Sequence, residues 1–327
     1  MTAPEPAALP DGWESIWMER VLSSKFATAF PRLGSYTEYL LRLYMAAVLL
    51  WRRRRSDAIV TGRYGEFFAL AQGLWPFGRR PLLLLDIEWY SAHRSGWRGK
   101  LKRWLHRRMA AGADAIQVFC RIEAANYAAR FGIPAKKFVW IPYCFSVPDS
   151  PEGAEGGFAF SGGLHHRDYP TLFAAVAGLP LELQVAAPRS HFADASVPPN
   201  VTILGVVSGD EYWRKMREAR FVVVSLESGL ARCPGVITYV AAMRMGKCAV
   251  VNEPSGAPDY IESGISGFVV PAGDAASLRR QIVSLVENEG LAGTVGSQAK
   301  LEAAERFSPA AYYSAVKAVV DRLIALS

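Results

Sequence analysis

Several things are scarce in this 327-residue chain, and each scarcity closes a class of explanation. The four cysteines (Cys120, Cys144, Cys233 and Cys248) are scattered, with no CxxC pair and no nearby histidine. Disulfide frameworks and zinc sites need paired ligands, so buried thiols in a reducing compartment are expected instead. The strongest apolar run, Leu43 to Trp51, falls far short of the ~20 residues that span a bilayer. The opening residues Met1-Thr-Ala-Pro-Glu-Pro6 lack the basic-then-apolar order of a secretory signal. These features together predict a cytoplasmic protein. Low-complexity tracts and fixed-period repeats are missing too, which removes fibrous and disordered classes.

What is present is globular. Apolar residues make up 51% and charged residues 20%, and the length suits two domains with separate cores. Charge is unevenly spread. Between Trp51 and Arg108 there are fourteen Lys/Arg against four Asp/Glu, an excess of ten within a total of +7, so the remaining chain is acidic by three. One basic face is implied, not a uniformly basic protein.

Short apolar runs at Ala58–Thr61, Pro81–Asp86, Ala115–Cys120 and Phe138–Pro142 alternate with helical stretches. A helix is expected from Tyr36 to Arg54 with Ser35 as its N-cap. The segment from Ser146 to Gly157, rich in Pro, Gly and acids, reads as a linker. Beyond it the alternation restarts, with strands expected at Phe158–Ser161, Leu181–Ala186, Val201–Leu204, Phe221–Leu226, Cys248–Asn252 and Gly267–Val270. Helices are expected at Tyr169–Ala177, Gly209–Arg217, Gly235–Met245 and Ala275–Glu287. Strands separated by helices predict parallel sheets, hence an α/β protein of two doubly wound domains. The boundaries read as 1–150, 151–308 and a last helix within 309–327, started by Ser308-Pro309 and packing back on the first domain.

Three motifs could carry chemistry. In Phe160-Ser-Gly-Gly-Leu-His-His-Arg-Asp-Tyr-Pro-Thr-Leu172 a strand meets paired glycines, then a cation just before a helix. Gly162 and Gly163 let a ligand approach the backbone, and Arg167 offers a two-pronged donor to a diphosphate; a tight turn with a surface arginine is the other reading. His165 and His166 could touch the same ligand or be surface polar groups. In Cys233-Pro-Gly-Val-Ile-Thr-Tyr-Val-Ala-Ala-Met-Arg-Met-Gly-Lys-Cys-Ala-Val-Val251, the amides near Gly235–Ile237 open a helix and could hold a phosphate. The third, Asp259 to Asp274, reads as scaffold.

In order and spacing these motifs, from Phe158 to about Phe307, resemble the donor domain of retaining GT-B glycosyltransferases, family 4 in particular. Ser161-Gly-Gly with Arg167-Asp-Tyr and Thr171-Leu is similar to an "SGG…RDYxTL" opening. Ala241 to Val251 is similar to "EAMAxGKPVV", and Asp259 to Pro271 to "DYIxxGxxGxLVP". The N-terminal half resembles the family only in outline, at Met109–Cys120 and Phe131–Tyr143. The resemblance implies two Rossmann-like domains facing a cleft, with the N-terminal one abbreviated because its usual opening strand and Gly-rich turn are not visible before Asp57. It also implies that Arg167 neutralises the donor diphosphate above Gly162 and Gly163. Backbone groups of Pro234, Gly235, Val236 and Ile237 would hold the distal phosphate, and Val206 and Val207 would lie beside the base. No metal or other cofactor is implied.

One departure stands out. The family's Glu-x7-Glu pair, whose second member holds the ribose, falls on Cys233 and Ala241. Glu227, in the loop before, is the nearest carboxylate that could reach the sugar. In the N-terminal half, Leu83-Leu-Leu-Asp86-Ile-Glu88-Trp places two acids at a strand end and on one face of the extended chain. Asp86 and Glu88 are candidates to orient an acceptor hydroxyl, or else solvated loop acids.

Trp97, Leu101, Trp104, Leu105 and Met109 fall at helical spacing, surrounded by Arg98, Lys100, Lys102, Arg103, Arg107 and Arg108. Cationic charge with interfacial tryptophan suits an anionic membrane surface, although Trp97 and Leu101 could instead pack on the N-terminal sheet. No helix-turn-helix, zinc finger or RNA-binding signature accompanies the patch, so nucleic acid is not an expected partner. The combined expectation is a glycosyltransferase on the inner membrane face. It would move a sugar from a nucleoside-diphosphate sugar to a glycan or lipid-linked acceptor with retention. A non-catalytic GT-B-like subunit that binds nucleotide or lipid beside a partner transferase is the alternative, and a GT-B epimerase or phosphorylase a third.

Overall fold

In the computed structural model, residues 13, 34–75, 77–85, 87, 96–147, 156–192, 195–229, 232–253 and 256–327 are described. They form two compact units. One holds the first sheet, its helices and residues 124–141 and 313–327; the other holds 119–123 and 142–312.

The first unit contains a four-stranded parallel sheet of β1 (Ile59–Thr61), β2 (Leu82–Leu84), β3 (Ala115–Val118) and β4 (Phe138–Trp140), in sequential order. Around it lie α1 (Gly34–Arg52), α2 (Glu66–Leu74), α3 (Trp97–Gly112) and α4 (Arg121–Phe131). Leu82 and Leu84 share a buried cluster with Phe68, Met109, Ile116, Phe131 and Phe138, and Met45, Ala46 and Leu49 of α1 join it. Among the described residues this sheet shows no reversal of strand order. The expected helix near Tyr36–Arg54 starts earlier, at Gly34, so Ser35 lies inside it and not at a cap.

α2 and α3 meet at two glycines. A Cβ on Gly112 would stand 1.8 Å from the Ala69 carbonyl oxygen, and one on Gly73 would stand 2.1 Å from that of Arg108. Both distances are far inside contact range, so only glycine allows the helices to lie this close. Buried Gln72 seals the junction by donating to the carbonyls of Gly112 (3.2 Å) and Arg80 (3.3 Å) and accepting from the Arg80 amide (3.0 Å).

The second unit is a six-stranded parallel sheet ordered β10-β9-β8-β5-β6-β7, from β5 (Phe158–Gly162), β6 (Glu182–Ala186), β7 (Val201–Ile203), β8 (Phe221–Val224), β9 (Ala249–Glu253) and β10 (Phe268–Pro271). Alternation along the strands builds two cores. Val222, Val224, Ala249 and Val251 face one way, toward Met216 of α6 (Gly209–Glu218), α7 (Val236–Arg244) and Ala299 and Ala303 of α9 (Leu291–Arg306). Phe221, Val223, Cys248 and Val250 face the other, toward α5 (Tyr169–Val176) and Leu278, Ile282 and Leu285 of α8 (Ala275–Glu287). Both faces are covered, which is why these strands read as unbroken apolar runs. The last helix is α10 (Pro309–Ala325).

Helix α9 is absent from the sequence reading. Its Gly293 and Gly296 and its many alanines give no apolar stripe, yet Gly296 is where a Cβ would strike the Gly246 carbonyl at 2.2 Å. The four cysteines are buried thiols, none of them in a disulfide.

Strand order in this sheet reverses between β5 and β8, since β6 and β7 lie to one side and β9 and β10 to the other. Such a switch point opens a crevice outside the carboxyl ends of the two strands. A test of the first unit's helix junction is Gly112→Ala: overpacking of this kind costs about 1–3 kcal/mol. Denaturant melts should show that loss, and unchanged stability would mean that α2 and α3 part at no cost.

Candidate functional site

The carboxyl ends of β5 and β8 are joined by backbone. The Asp168 amide donates to the Ser225 carbonyl at 3.1 Å, the Glu227 amide to that of His166 at 3.2 Å, and Arg167 and Leu226 form an antiparallel bridge between them. Asn252, at the end of β9, locks the far side of this zipper. It is 1% exposed, and its Nδ2 donates to the Leu226 carbonyl at 2.9 Å and to Ser225 Oγ at 3.4 Å, while its Oδ1 accepts from the Leu226 amide.

Held there, half-buried Arg167 gathers three segments. Its Nε donates to the Gly162 carbonyl at 3.0 Å, Nη1 to the His165 carbonyl at 3.0 Å, and Nη2 to Thr238 Oγ1 of α7 at 3.1 Å. Gly163 (φ +133°) has the guanidinium where a Cβ would be, at 2.4 Å from Nη2. On the other side, a Cβ added at Gly235 (φ +76°) would stand 3.4 Å from Nη1. Arg167, Gly162, Gly163 and Gly235 therefore converge, and Val236 and Ile237 follow in the first turn of α7, where an α-helix leaves amides without intrahelical acceptors. A fixed guanidinium beside helix-start amides is an anion cradle.

Supporting side chains went unread in the sequence. Tyr212 lies under Gly162, where a Cβ would meet its ring at 2.5 Å, and burial pushes its hydroxyl pKa up. Tyr169 donates to the Gly163 carbonyl at 2.9 Å, and Asp168 caps α5 by accepting from the Thr171 amide at 3.0 Å. A polar Asn closing an otherwise apolar strand was a visible signal; the aromatic supports gave none.

Glu227 stands at the rim, paired through Oε2 with His166 Nδ1 at 3.0 Å, and His166 holds a left-handed backbone (φ +56°). Non-glycine residues rarely adopt that conformation. Val206 and Val207 are in the turn after β7 and before α6, Val206 exposed and Val207 against the core. Pro234 is in the turn entering α7. Asp86 and Glu88 lie outside the described residues.

Both positions of the missing carboxylate pair are interior. Cys233 is 3% exposed and Ala241 is fully buried in the apolar cluster. Cys233 instead meets a different acid: its amide donates to Glu123 Oε1 at 2.8 Å, and its Sγ pairs with the Tyr239 hydroxyl at 2.8 Å. Glu123 Oε2 accepts from the amides of Phe119 at 2.7 Å and Cys120 at 3.4 Å. Burial raises the Glu123 carboxyl above the usual 4.5, against these three amides. The Cys120 thiol is likewise pushed up, first by its hydrogen bond to Cys233 and then by burial.

The family model "Glycosyl transferases group 1" matches residues 167–288, from Arg167 through the zipper, the cradle and α8. Over these residues the chain is similar to the group 1 glycosyltransferases. Among curated proteins, the amylovoran biosynthesis glycosyltransferase AmsK of Erwinia amylovora is 27% identical over 137 residues, covering 41% of this chain. The chain spans about a third of that relative's length (34%). Among solved structures, Anabaena Alr3699/HepE in complex with UDP and glucose superposes with TM-score 0.63 at 16% identity, covering 85% of this chain and 81% of that one. Sucrose-phosphate synthase from Thermosynechococcus elongatus gives TM-score 0.65 at 15% identity, over 89% and 79%. At such identities the likeness establishes the fold. It is GT-B, with two Rossmann-like domains.

Two predictions follow from these contacts. Asn252→Ala removes the side-chain partner of the Leu226 amide and carbonyl and should destabilise by about 2–6 kcal/mol, read by denaturant melting; an unchanged midpoint would show that the zipper holds without it. For Glu123, a raised folded-state pKa means that the stability it contributes is full below 4.5 and is lost as pH rises through the folded value. The stability of the native protein minus that of Glu123→Gln should therefore fall with rising pH from 4.5 upward. A flat difference would mean that the carboxyl titrates as in water.

Proposed function

We propose that the chain is a glycosyltransferase that moves a sugar from a nucleoside-diphosphate sugar to a glycan or lipid-linked acceptor, with retention. The observation that carries this reading is the convergence of Arg167, Gly163 and the start of α7 at the sheet's switch point. A leaving diphosphate develops charge there, and fixed donors that need no reorganisation are the most effective stabilisers of it. The UDP and glucose of the Anabaena structure support a donor of this class. Because Arg167 and the helix amides supply the positive charge, the proposed reaction uses no metal ion.

Glu227, with His166 beside it, is the rim carboxylate that would meet sugar hydroxyls, and Val206 and Val207 would border the base. Asp86 and Glu88 are proposed to orient the acceptor. The protein would work on the inner face of an anionic membrane, where a lipid-linked acceptor is presented. Among the described residues no helix is long and apolar enough to cross a membrane.

The test is Arg167→Ala assayed for nucleoside diphosphate release across UDP- and GDP-sugars. Loss of a key electrostatic donor should cut turnover about 10²-fold or more. Near-full activity would remove Arg167 from the mechanism. Nucleotide bound tightly by the native protein with no turnover on any acceptor extract would favour the non-catalytic subunit, which the interior Cys233 and Ala241 also suit.

A further inference from the structure

Large apolar side chains are unevenly exposed over the described surface. Every aromatic among the prominent ones lies between residues 39 and 104: Tyr39, Tyr44, Trp51, Trp75, Phe77, Trp97 and Trp104. Helix α1 buries Met45, Ala46 and Leu49 on one side, yet its opposite side presents Leu40, Leu43, Tyr44 and Trp51 at 62, 56, 48 and 71% exposure. A helix apolar on both sides has a second apolar neighbour to meet. Helix α3 repeats the arrangement. Met109 and Ala110 enter the core, whereas Trp97, Leu101 and Trp104 face outward, so the single stripe expected from their spacing is divided between two faces.

These patches are joined. Arg80 Nε donates to the Arg53 carbonyl at 3.1 Å, linking the end of α1 to the turn that carries Trp75 and Phe77, whose rings meet edge to face at 5.7 Å. That turn follows α2, whose Gly73 touches Arg108, one helical turn beyond Trp104. Cations ride on the rings: Arg55 over Trp51 at 5.6 Å, Arg98 over Trp97 at 5.5 Å and Arg108 over Trp104 at 5.5 Å. The same stretch holds the chain's excess of ten positive charges between Trp51 and Arg108.

We infer that α1, the Trp75–Phe77 turn and α3 form a seat that inserts shallowly into an anionic lipid bilayer, with leucines and indole rings at acyl level and arginines at the phosphates. A second copy of this face is disfavoured, because two such positive surfaces repel. Nucleic acid is disfavoured too, because Leu40, Leu43 and Leu101 gain from acyl chains and nothing from stacked bases. The inference gives the proposed enzyme its membrane partner, but the docking does not depend on the transfer reaction.

The experiment is sedimentation of the full chain with vesicles of phosphatidylcholine alone or mixed with phosphatidylglycerol. Binding to the mixed vesicles only, weakened by salt, is expected. Removing charges by Arg52→Gln and Arg55→Gln should weaken it about fivefold each, the size of one basic contact to an anionic surface. Trp97→Ser with Trp104→Ser, both exposed and therefore harmless to folding, should abolish retention while circular dichroism and donor turnover without vesicles stay unchanged. Three results would overturn the proposal: no retention by either vesicle, equal retention by both, or full retention of the double tryptophan variant. Dissociation of a dimer by that variant, or displacement from vesicles by RNA at matched ionic strength, would equally assign the face to another partner. Arg167→Ala binding vesicles like the native protein keeps this outcome separate from that of the transfer assay.

Discussion

The guanidinium of Arg167 organises the second unit's functional end. Its three donors engage the end of β5, the loop that follows and the first turn of α7. The paired glycines add no side-chain contacts of their own, so these bonds supplement the backbone zipper and the Tyr169 hydroxyl in tying the segments together. Yet the arginine spends only part of its capacity on the protein. A guanidinium has five N–H donors, and three are used here. The remaining ones, beside Gly235 and the amides of α7, are what a phosphate oxygen can claim. A structural role and the proposed binding role can coexist in one side chain because its fork is rigid and always charged.

The zipper between 166–168 and 225–227 explains why this cradle is built at the sheet's centre. Parallel strands end without a hairpin, so their loops must be tied by other means. Here the tie is a short antiparallel bridge backed by Asn252, whose amide group satisfies both the donor and the acceptor of Leu226. An apolar residue at 252 would leave two buried backbone groups without partners, a cost of order 1–3 kcal/mol each. His166 is held in a left-handed backbone in the middle of this tie, next to Glu227. Strain of that kind survives only where surrounding contacts fix it, and it concentrates at functional sites.

Much of the second unit was legible in the sequence. The unbroken apolar runs at Phe221–Val224 and Ala249–Val251 reported buried parallel strands directly. What stayed hidden was whatever depends on a distant partner. Helix α9 carries no stripe because its glycines are shaped by Gly246. Glu123 looks like a surface helix acid until it is seen accepting the Cys233 amide, 110 residues away in sequence. The stripe on α3 misled for a simpler reason: spacing states that residues share a side of a helix, but a helix with two apolar sides gives the same spacing for either.

Cys233 and Ala241 show what the interior of this unit tolerates at the two positions where the resembled family carries carboxylates. Ala241 is fully buried in a cluster that also holds Val224, Val240 and Met243, so a carboxyl there would be pushed toward its neutral form. Such a burial costs several kcal/mol unless paired. Glu123 shows what pairing requires in this interior, since it needs three backbone amides to be accommodated and still has its pKa raised. The His166–Glu227 pair at the rim is by contrast part-exposed, where solvent can support an ionised carboxylate, as the proposed hydroxyl contact requires.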